Sequence, residues 1–142
     1  MRKILFKAKH INDHGWVYGD LIRNDNKYYP VTFIGGIIFS RDKYTNELSL
    51  DGHWLSEVDP ETVGQYTGLT DKNGKKIFEG DIVRYRKNQG VINYHDCCFC
   101  IRLIEKDWMR RSNPAMDIVE NEYPNEIEVI GNIHDNPELL EE

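Results

Sequence analysis

The sequence predicts a mainly β protein with very little helix, and three observations carry that expectation. Apolar residues recur at every second position or in short runs, the spacing of strands that bury one or both faces. These runs are interrupted at short intervals by turn residues such as NDHG (12–15) and RNDN (23–26). No long stretch of the 142 residues shows the 3.6-residue period of an amphipathic helix. Eight tyrosines, five phenylalanines and three tryptophans supply the bulky side chains that favour a pleated surface. Hydrophobic residues make up only 39% and charged residues 30%, which fits a thin-cored, loop-rich fold.

Taken in order, ILFKAK (4–9), WVYGDLI (16–22), KYYPVTFI (27–34) and GIIFS (36–40) read as strands of the first half. GQYTGL (64–69), KKIF (75–78), DIVRYR (81–86), GVINY (90–94), CFCIRLI (98–104) and IEVIGNI (127–133) follow in the second. Pro30 and Pro60 belong at edges, bulges or loops, because proline cannot donate to a ladder. Two places favour helix. EKDWMRR (105–111) is long enough for a turn or two. In NPELLEE, Asn136 is placed to cap, Pro137 to occupy the first helical position and Glu138 the first turn. Residues 105–126, punctuated by Pro114 and Pro124, read as the longest irregular connection. The expected organisation is an N-terminal β subdomain over 1–57 and a second subdomain over 58–142, packed as one unit.

The stretch GQYTGLTDKNGKKIFEGDIVR (64–84) raises three structural possibilities. A nucleotide P-loop needs four residues between its glycines and a hydroxyl after the lysine. Here five residues separate Gly68 from Gly74, and Lys76 stands where the hydroxyl belongs. A calcium loop counted from Asp71 puts Lys75 at a ligand position and glycine two places early. The remaining possibility fits every residue. Asn73 and Gly74 form a turn that accepts positive φ, Gly80 makes a sharp corner, and Asp81 opens the next strand. A Gly-Asp-x-Val step of this kind suits a small SH3-like barrel, where glycine lets the chain bend between sheets.

VDPETVGQYTGLTDKNGKKIFEGDIVR (58–84), taken whole, resembles the signature segment of the YopX family, whose members are encoded by phages and prophages. ILFKAKHINDHGWVYGDLI (4–22) resembles that family's opening, and EVIGNIHDNPELLEE (128–142) its ending. The resemblance implies a mostly β fold with SH3-like character and a phage or prophage setting. It brings no catalytic residues and no mechanism. The stretch 85–126 is the part least covered by it.

The net charge of −6 argues against a general polyanion binder, but the charge is unevenly spread. Residues 72–111 hold ten Lys/Arg against five Asp/Glu, whereas 112–142 hold nine acids and no Lys/Arg. A basic face is therefore expected from Lys75, Lys76, Arg84, Arg86, Lys87 and Arg102, with Arg110 and Arg111 nearby, and Tyr85 turned to the core. Single-stranded nucleic acid would be the natural ligand of such a face, held weakly and without sequence preference.

Other chemistries find less support. His95, Cys97, Cys98 and Cys100 are metal-ligand types, but strand alternation lets only Cys98 and Cys100 converge, with Cys97 expected in the core. The other histidines are scattered singly, so no metal or cofactor is expected. Three clustered cysteines also make a poor disulfide framework. Glu79 and Asp81 flank a glycine corner, and Asp59 and Glu61 flank a proline, positions where carboxylates accept turn N–H groups instead of moving protons. No signal-peptide core follows Met1, and VTFIGGIIF (31–39) is far too short to span a membrane, which points to the bacterial host cytoplasm. Tyr28, Tyr29, Phe33 and GGIIF have two expected fates. Either they build the N-terminal core, or they form a patch or edge that meets another subunit. The function expected from all this is non-enzymatic: protein interaction with itself or with a host or phage protein, and weak nucleic-acid binding as the alternative.

Overall fold

A computed structural model describes residues 3–28, 30–104, 115–117 and 126–141. The chain forms two compact units, one spanning Ile4–Val63 and the other built mainly from residue 64 onward. The protein is mainly β, and its strands pair antiparallel throughout.

In the N-terminal unit, β1 (Phe6–Lys9), β2 (Trp16–Asn24), β3 (Val31–Arg41) and β4 (Leu48–Glu57) lie in the spatial order β4-β3-β2-β1. Register pairs Ala8 with Val17 and Leu21 with Ile34, so these side chains share one face. Ala8, Ile34 and Val58 are fully buried there, flanked by Phe6, Val17, Leu21 and Val63. Beyond β4 the chain stays attached to this sheet. The Val58 N–H donates to the Thr32 carbonyl at 3.0 Å, Asp59 to that of Lys9 at 2.9 Å, and Lys9 to the Thr62 hydroxyl at 2.8 Å. Those bonds explain why the division between units falls after Val63.

Two differences from the sequence-based expectation concern this unit. The runs 27–34 and 36–40 are not separate strands, because β3 crosses Gly35 and Gly36 without a break. Strand β4 has no counterpart among the expected strands. Its register shifts where Ile38 pairs with Gly52 and Phe39 with Leu50, leaving Asp51 as the extra residue of a bulge. That insertion breaks the two-residue alternation halfway along and hides the strand from a periodicity argument.

The second unit holds a hairpin, β5 (Gly64–Thr70) with β6 (Lys76–Phe78), and a five-stranded sheet. The sheet runs β10 (Ala115–Asp117), β9 (Cys98–Leu103), β8 (Asn88–His95), β7 (Asp81–Tyr85), β11 (Ile127–Asn132). Ile77, Val83, Tyr85, Ile92, Phe99, Ile101 and Ile127 form its core, edged by Leu69, Leu103 and Val129. Among the described residues this sheet stays open, with β10 and β11 at its edges, instead of closing into the expected barrel. Strands β5 and β6 pair in a ladder separate from it and bridge neither edge. Strand β10 falls inside the stretch expected to be irregular, while the helix expected at 105–111 lies outside the described residues. The C-terminal helix is a single 3-10 turn, Pro137–Leu140. Asn136 precedes it without capping it. Its Oδ1 accepts from the Asn132 N–H at 3.4 Å, and its Nδ2 donates to Glu138 at 3.3 Å.

The corner between β6 and β7 depends on Gly80, whose φ is +84°. Its N–H donates to the Ile92 carbonyl at 2.8 Å, and its carbonyl accepts from Ile133 at 3.0 Å, so one residue ties this corner to β8 and to the chain leaving β11. A Cβ there would meet Ile133 at 3.6 Å, an ordinary contact, so the cost of a side chain is conformational and not a clash. Gly80→Val is expected to lower the unfolding free energy by about 2 kcal/mol or more, and Gly80→Asn by clearly less, since Asn tolerates positive φ. Urea denaturation of both variants measures this. A wild-type midpoint for the valine variant would refute the account of the corner.

Candidate interaction surface

The six cations expected to form a basic face are all exposed, but they occupy three places. Lys75 and Lys76 lie on the β5–β6 hairpin, past the turn in which Asn73 is followed by Gly74 at φ +80°. Arg84 pairs with Gln89 and Arg102 with Val91, which puts both arginines on the outer face of the five-stranded sheet with β8 between them. Two strand spacings, about 10 Å, separate their strands. Arg86 and Lys87 form the two-residue loop that joins β7 to β8. Tyr85 between Arg84 and Arg86 is buried in the core, as alternation requires. Arg110 and Arg111 lie outside the described residues.

Strand β11 brings carboxylates to two of these arginines. Glu128 stands directly opposite Arg84 in the ladder, and its Oε2 lies 3.4 Å from Arg84 and 2.8 Å from Lys72. Glu126 lies 2.7 Å from the Arg86 Nε. The Lys72 hydrogen bond holds the Glu128 carboxyl below its ordinary range against some desolvation, with the charges of Lys72 and Arg84 helping. The arginine pairs join residues 40 and 44 positions apart, so local spacing gave no sign of them.

Beside them sits a buried carboxylate with a structural task. The Asp71 Oδ1 accepts from the N–H groups of Asn73 (2.8 Å) and Lys75 (2.9 Å), and its Oδ2 from that of Val129 (3.0 Å). The Lys72 N–H also reaches the Ile127 carbonyl at 2.9 Å. The β5–β6 turn is thereby fastened to β11. Asp81 does similar work at the next corner, accepting from the Phe78 N–H at 2.8 Å while buried. Asp59 accepts from Glu61 at 3.0 Å.

The cysteine cluster is arranged differently from expectation at one position. Cys97 is exposed and not in the core. His95 pairs with Cys98, so Asp96 and Cys97 form a two-residue hairpin loop with φ of +47° and +65°, the pattern of a type I′ turn. A residue at its tip has no face to bury. Cys98 and Cys100 do share the outer face, and Cys100 is buried. The Cys98 thiol donates to the His95 carbonyl at 3.2 Å, and the His95 ring lies 3.4 Å from Asp96. Among the described residues, no group of three or more His, Cys, Asp or Glu side chains gathers to hold a metal.

The most unusual surface belongs to β3 and β4. Strand β2 pairs with β3 only as far as Gly35, whereas β3 and β4 continue together to Arg41 and Leu48. The outer part is therefore a two-stranded ribbon. Register sets Ile37 opposite His53, Phe39 opposite Leu50, Arg41 opposite Leu48 and Gly35 opposite Leu55, all on one face. Ile37, Phe39, Leu48, Leu50 and Leu55 each expose from 50% (Leu55) to 63% (Leu50) of their surface. The other face carries the exposed Ile38 and, beyond it, a polar cluster. Ser40 and Ser49 hydroxyls meet at 2.9 Å, and both reach the bulged Asp51 at 3.0 and 3.2 Å.

Both ends of the ribbon are fixed. At its root the Trp54 indole lies across Gly36 and Gly19. A Cβ would come within 2.9 Å of the ring nitrogen at Gly36, and within 3.0 Å of the ring at Gly19. At its tip Asp42 accepts from Thr45 (2.8 Å) and Tyr44 (2.7 Å), bonds that hold its carboxyl below the ordinary range. The sequence run thus divides between its two expected fates. Ile34 is core, Phe33 is half-buried, Ile37–Phe39 and Tyr28 are exposed, and Tyr29 lies outside the described residues.

Two small antiparallel units, one of them carrying an exposed apolar ribbon, define a mainly β protein. The family model described as YopX protein matches residues 6–141, and the chain belongs to the YopX family. Its structure is similar to the crystal structure of protein EF1440 from Enterococcus faecalis, at 25% identity and a TM-score of 0.58, covering 99% of each chain. No curated protein matches it.

The Asp71 anchor makes a pH-dependent prediction. Burial raises its carboxyl pKa, but the N–H groups of Val129, Lys75 and Asn73, with the Lys75 charge, outweigh burial and leave it below the ordinary 3.8. A depressed folded-state value means the contribution is complete above the unfolded value and is lost as pH falls through the folded one. Asp71→Asn is expected to cost about 1–3 kcal/mol at pH 7, and the gap from wild type should narrow below about pH 4. Urea denaturation at neutral and acid pH tests it, and a gap independent of pH would overturn it.

Proposed function

We propose that this YopX-family protein is a non-enzymatic accessory protein of a phage or prophage, working in the host cytoplasm as a protein-interaction module. The exposed apolar face of the β3–β4 ribbon carries this proposal. Monomeric proteins rarely leave apolar patches of that extent uncovered, and large ones mark contact surfaces. A ribbon of two strands is also marginal in water unless something packs on it. The non-enzymatic part draws support from the carboxylates, since Asp59, Asp71 and Asp81 are occupied with backbone N–H groups. In the described residues, no helix is long and apolar enough to cross a membrane.

Nucleic-acid binding through Lys75, Lys76, Arg84, Arg86, Lys87 and Arg102 draws less support. Arg84 and Arg86 already have carboxylate partners, Glu128 on β11 and Glu126 just before it, and a phosphate would have to compete with both. Arg102 shares the outer sheet face with Arg84 two strands away, whereas Lys75 and Lys76 lie on the β5–β6 hairpin.

Two measurements separate these functions. Immobilised wild-type protein should retain a protein partner, further copies of the chain included, from host extract and at high salt, and Phe39→Thr/Leu50→Thr should lose it. Failure to retain any protein, self or other, would sink the interaction proposal. Fluorescence anisotropy with labelled single-stranded DNA and RNA should stay flat at low and physiological salt. Micromolar binding that weakens with salt, and disappears in Arg84→Glu/Arg86→Glu, would put nucleic acid first instead.

A further inference from the structure

We propose that the occupant of the ribbon's apolar face is the same face of a second copy of this chain, so that the protein self-associates face to face through β3 and β4. The inference rests on the interaction function proposed above and names its partner.

Area is the first argument. Five side chains of roughly 200 Å² each, half or more exposed, leave on the order of 500 Å² of apolar surface on one copy. Two such faces covering each other bury on the order of 1,000 Å², the range at which specific interfaces begin. One face alone against a small ligand would leave most of the strip wet.

Charge is the second. The chain carries a net charge of −6, so two copies repel at a distance. Yet the strip itself, from Ile37 to Arg41 and from Leu48 to Leu55, includes no acid on the apolar face, and the nearest acids of that face, Asp20 and Glu57, stand at its root. The strip's polar members are Arg41 and His53. A partner chosen by charge would require a charged face, whereas this one is complementary to its own kind, and a self-complementary patch closes by a two-fold axis.

The third argument fixes the mode. Strand β4 is the edge of its sheet, which would invite strand addition, but the Asp51 bulge and its serine partners interrupt that edge. Stacking of the two ribbons at about 10 Å, as in a β-sandwich, leaves both polar faces in water and needs no rearrangement of the edge.

Sedimentation velocity and light scattering from about 1 to 200 µM, a range that brackets typical weak self-association, provide the test. Wild type should run at a multiple of 16.7 kDa, with assembly undiminished in 1 M salt. Phe39→Thr/Leu50→Thr, which keeps strand-favouring residues, should run as a 16.7 kDa monomer with wild-type melting. Ser49→Thr on the polar face should assemble normally. If the double variant fails to fold, Leu48→Ser alone, near the ribbon's tip, should weaken assembly at least tenfold without loss of folded structure. A wild type that stays monomeric throughout, or ribbon variants that are folded and still assembled, would overturn the proposal. A monomeric wild type that retains a different protein through the same face would overturn the self-partner while leaving the interaction function standing.

Discussion

The early end of the β2–β3 ladder sets the character of the N-terminal unit. Strand β3 runs for 11 residues, but register with β2 covers only Val31–Gly35. Inside that span one sheet face rests on the small core of Ala8, Ile34 and Val58. Outside it the apolar strip of Ile37 and Phe39 lies on the opposite face from Ile34, with nothing packed on it in this unit, and stands in water. Removing apolar surface from water is the main favourable term in folding, worth roughly 25 cal/mol per Å². A ribbon that forgoes it is stabilised instead by its serine–aspartate cluster, its bonded tip and its tryptophan root. Each of those contributes locally. None covers the strip.

The second unit is held together by other means. Its core is larger, and carboxylates join segments that are distant in sequence: Asp71 with Val129, Glu128 with Lys72 and Arg84, Glu126 with Arg86. These interactions differ in weight. Asp71 is buried and satisfies three N–H groups, so losing it strands donors. The glutamate pairs are on the surface, where ion pairs add little to stability. They also reduce the positive potential around Arg84 and Arg86.

What the sequence made legible, and what it hid, follows from the range of the interactions involved. The Asn73-Gly74 turn, the Gly80 corner and the alternation through Arg84, Tyr85 and Arg86 depend on neighbours within a few residues, and their geometry could be argued from local chemistry. Cys97 was misplaced because alternation was extended one residue past the strand's true start, into a loop where both residues have positive φ. Strand β4 was hidden by its bulge, since an inserted Asp51 reverses the facing of every residue after it. Barrel closure, the carboxylate partners of the arginines and the overhang of β3 are set by pairing across tens of residues. No local pattern encodes them. The apolar run at 31–39 was visible, but only the register could say that its second half lacks a partner.

A strip of exposed apolar residues is useful for recognition only if it is already in shape, and here the two anchors matter more than the strip's composition. Flexible ribbons lose rotamer and backbone freedom when they dock, a cost of roughly 0.5–1.5 kcal/mol for each immobilised side chain. The ring of Trp54 sits where the sheet narrows from several strands to two, on glycines that leave room for it. A side chain at Gly36 would push that ring away, and one at Gly19 would meet both the Gly35 carbonyl oxygen and the ring. At the far end, Asp42 and the Asn46 turn close the loop with five bonds to backbone N–H and carbonyl groups, among them Arg41 to Asn46 at 2.9 Å. Between these fixed ends, branched and aromatic side chains restrict the strands further. Much of the ordering of the ribbon is thus achieved during folding, by bonds and packing at its two ends. The exposed apolar strip therefore adds nothing to the core of its own unit, while the fixed ends hold it in one shape.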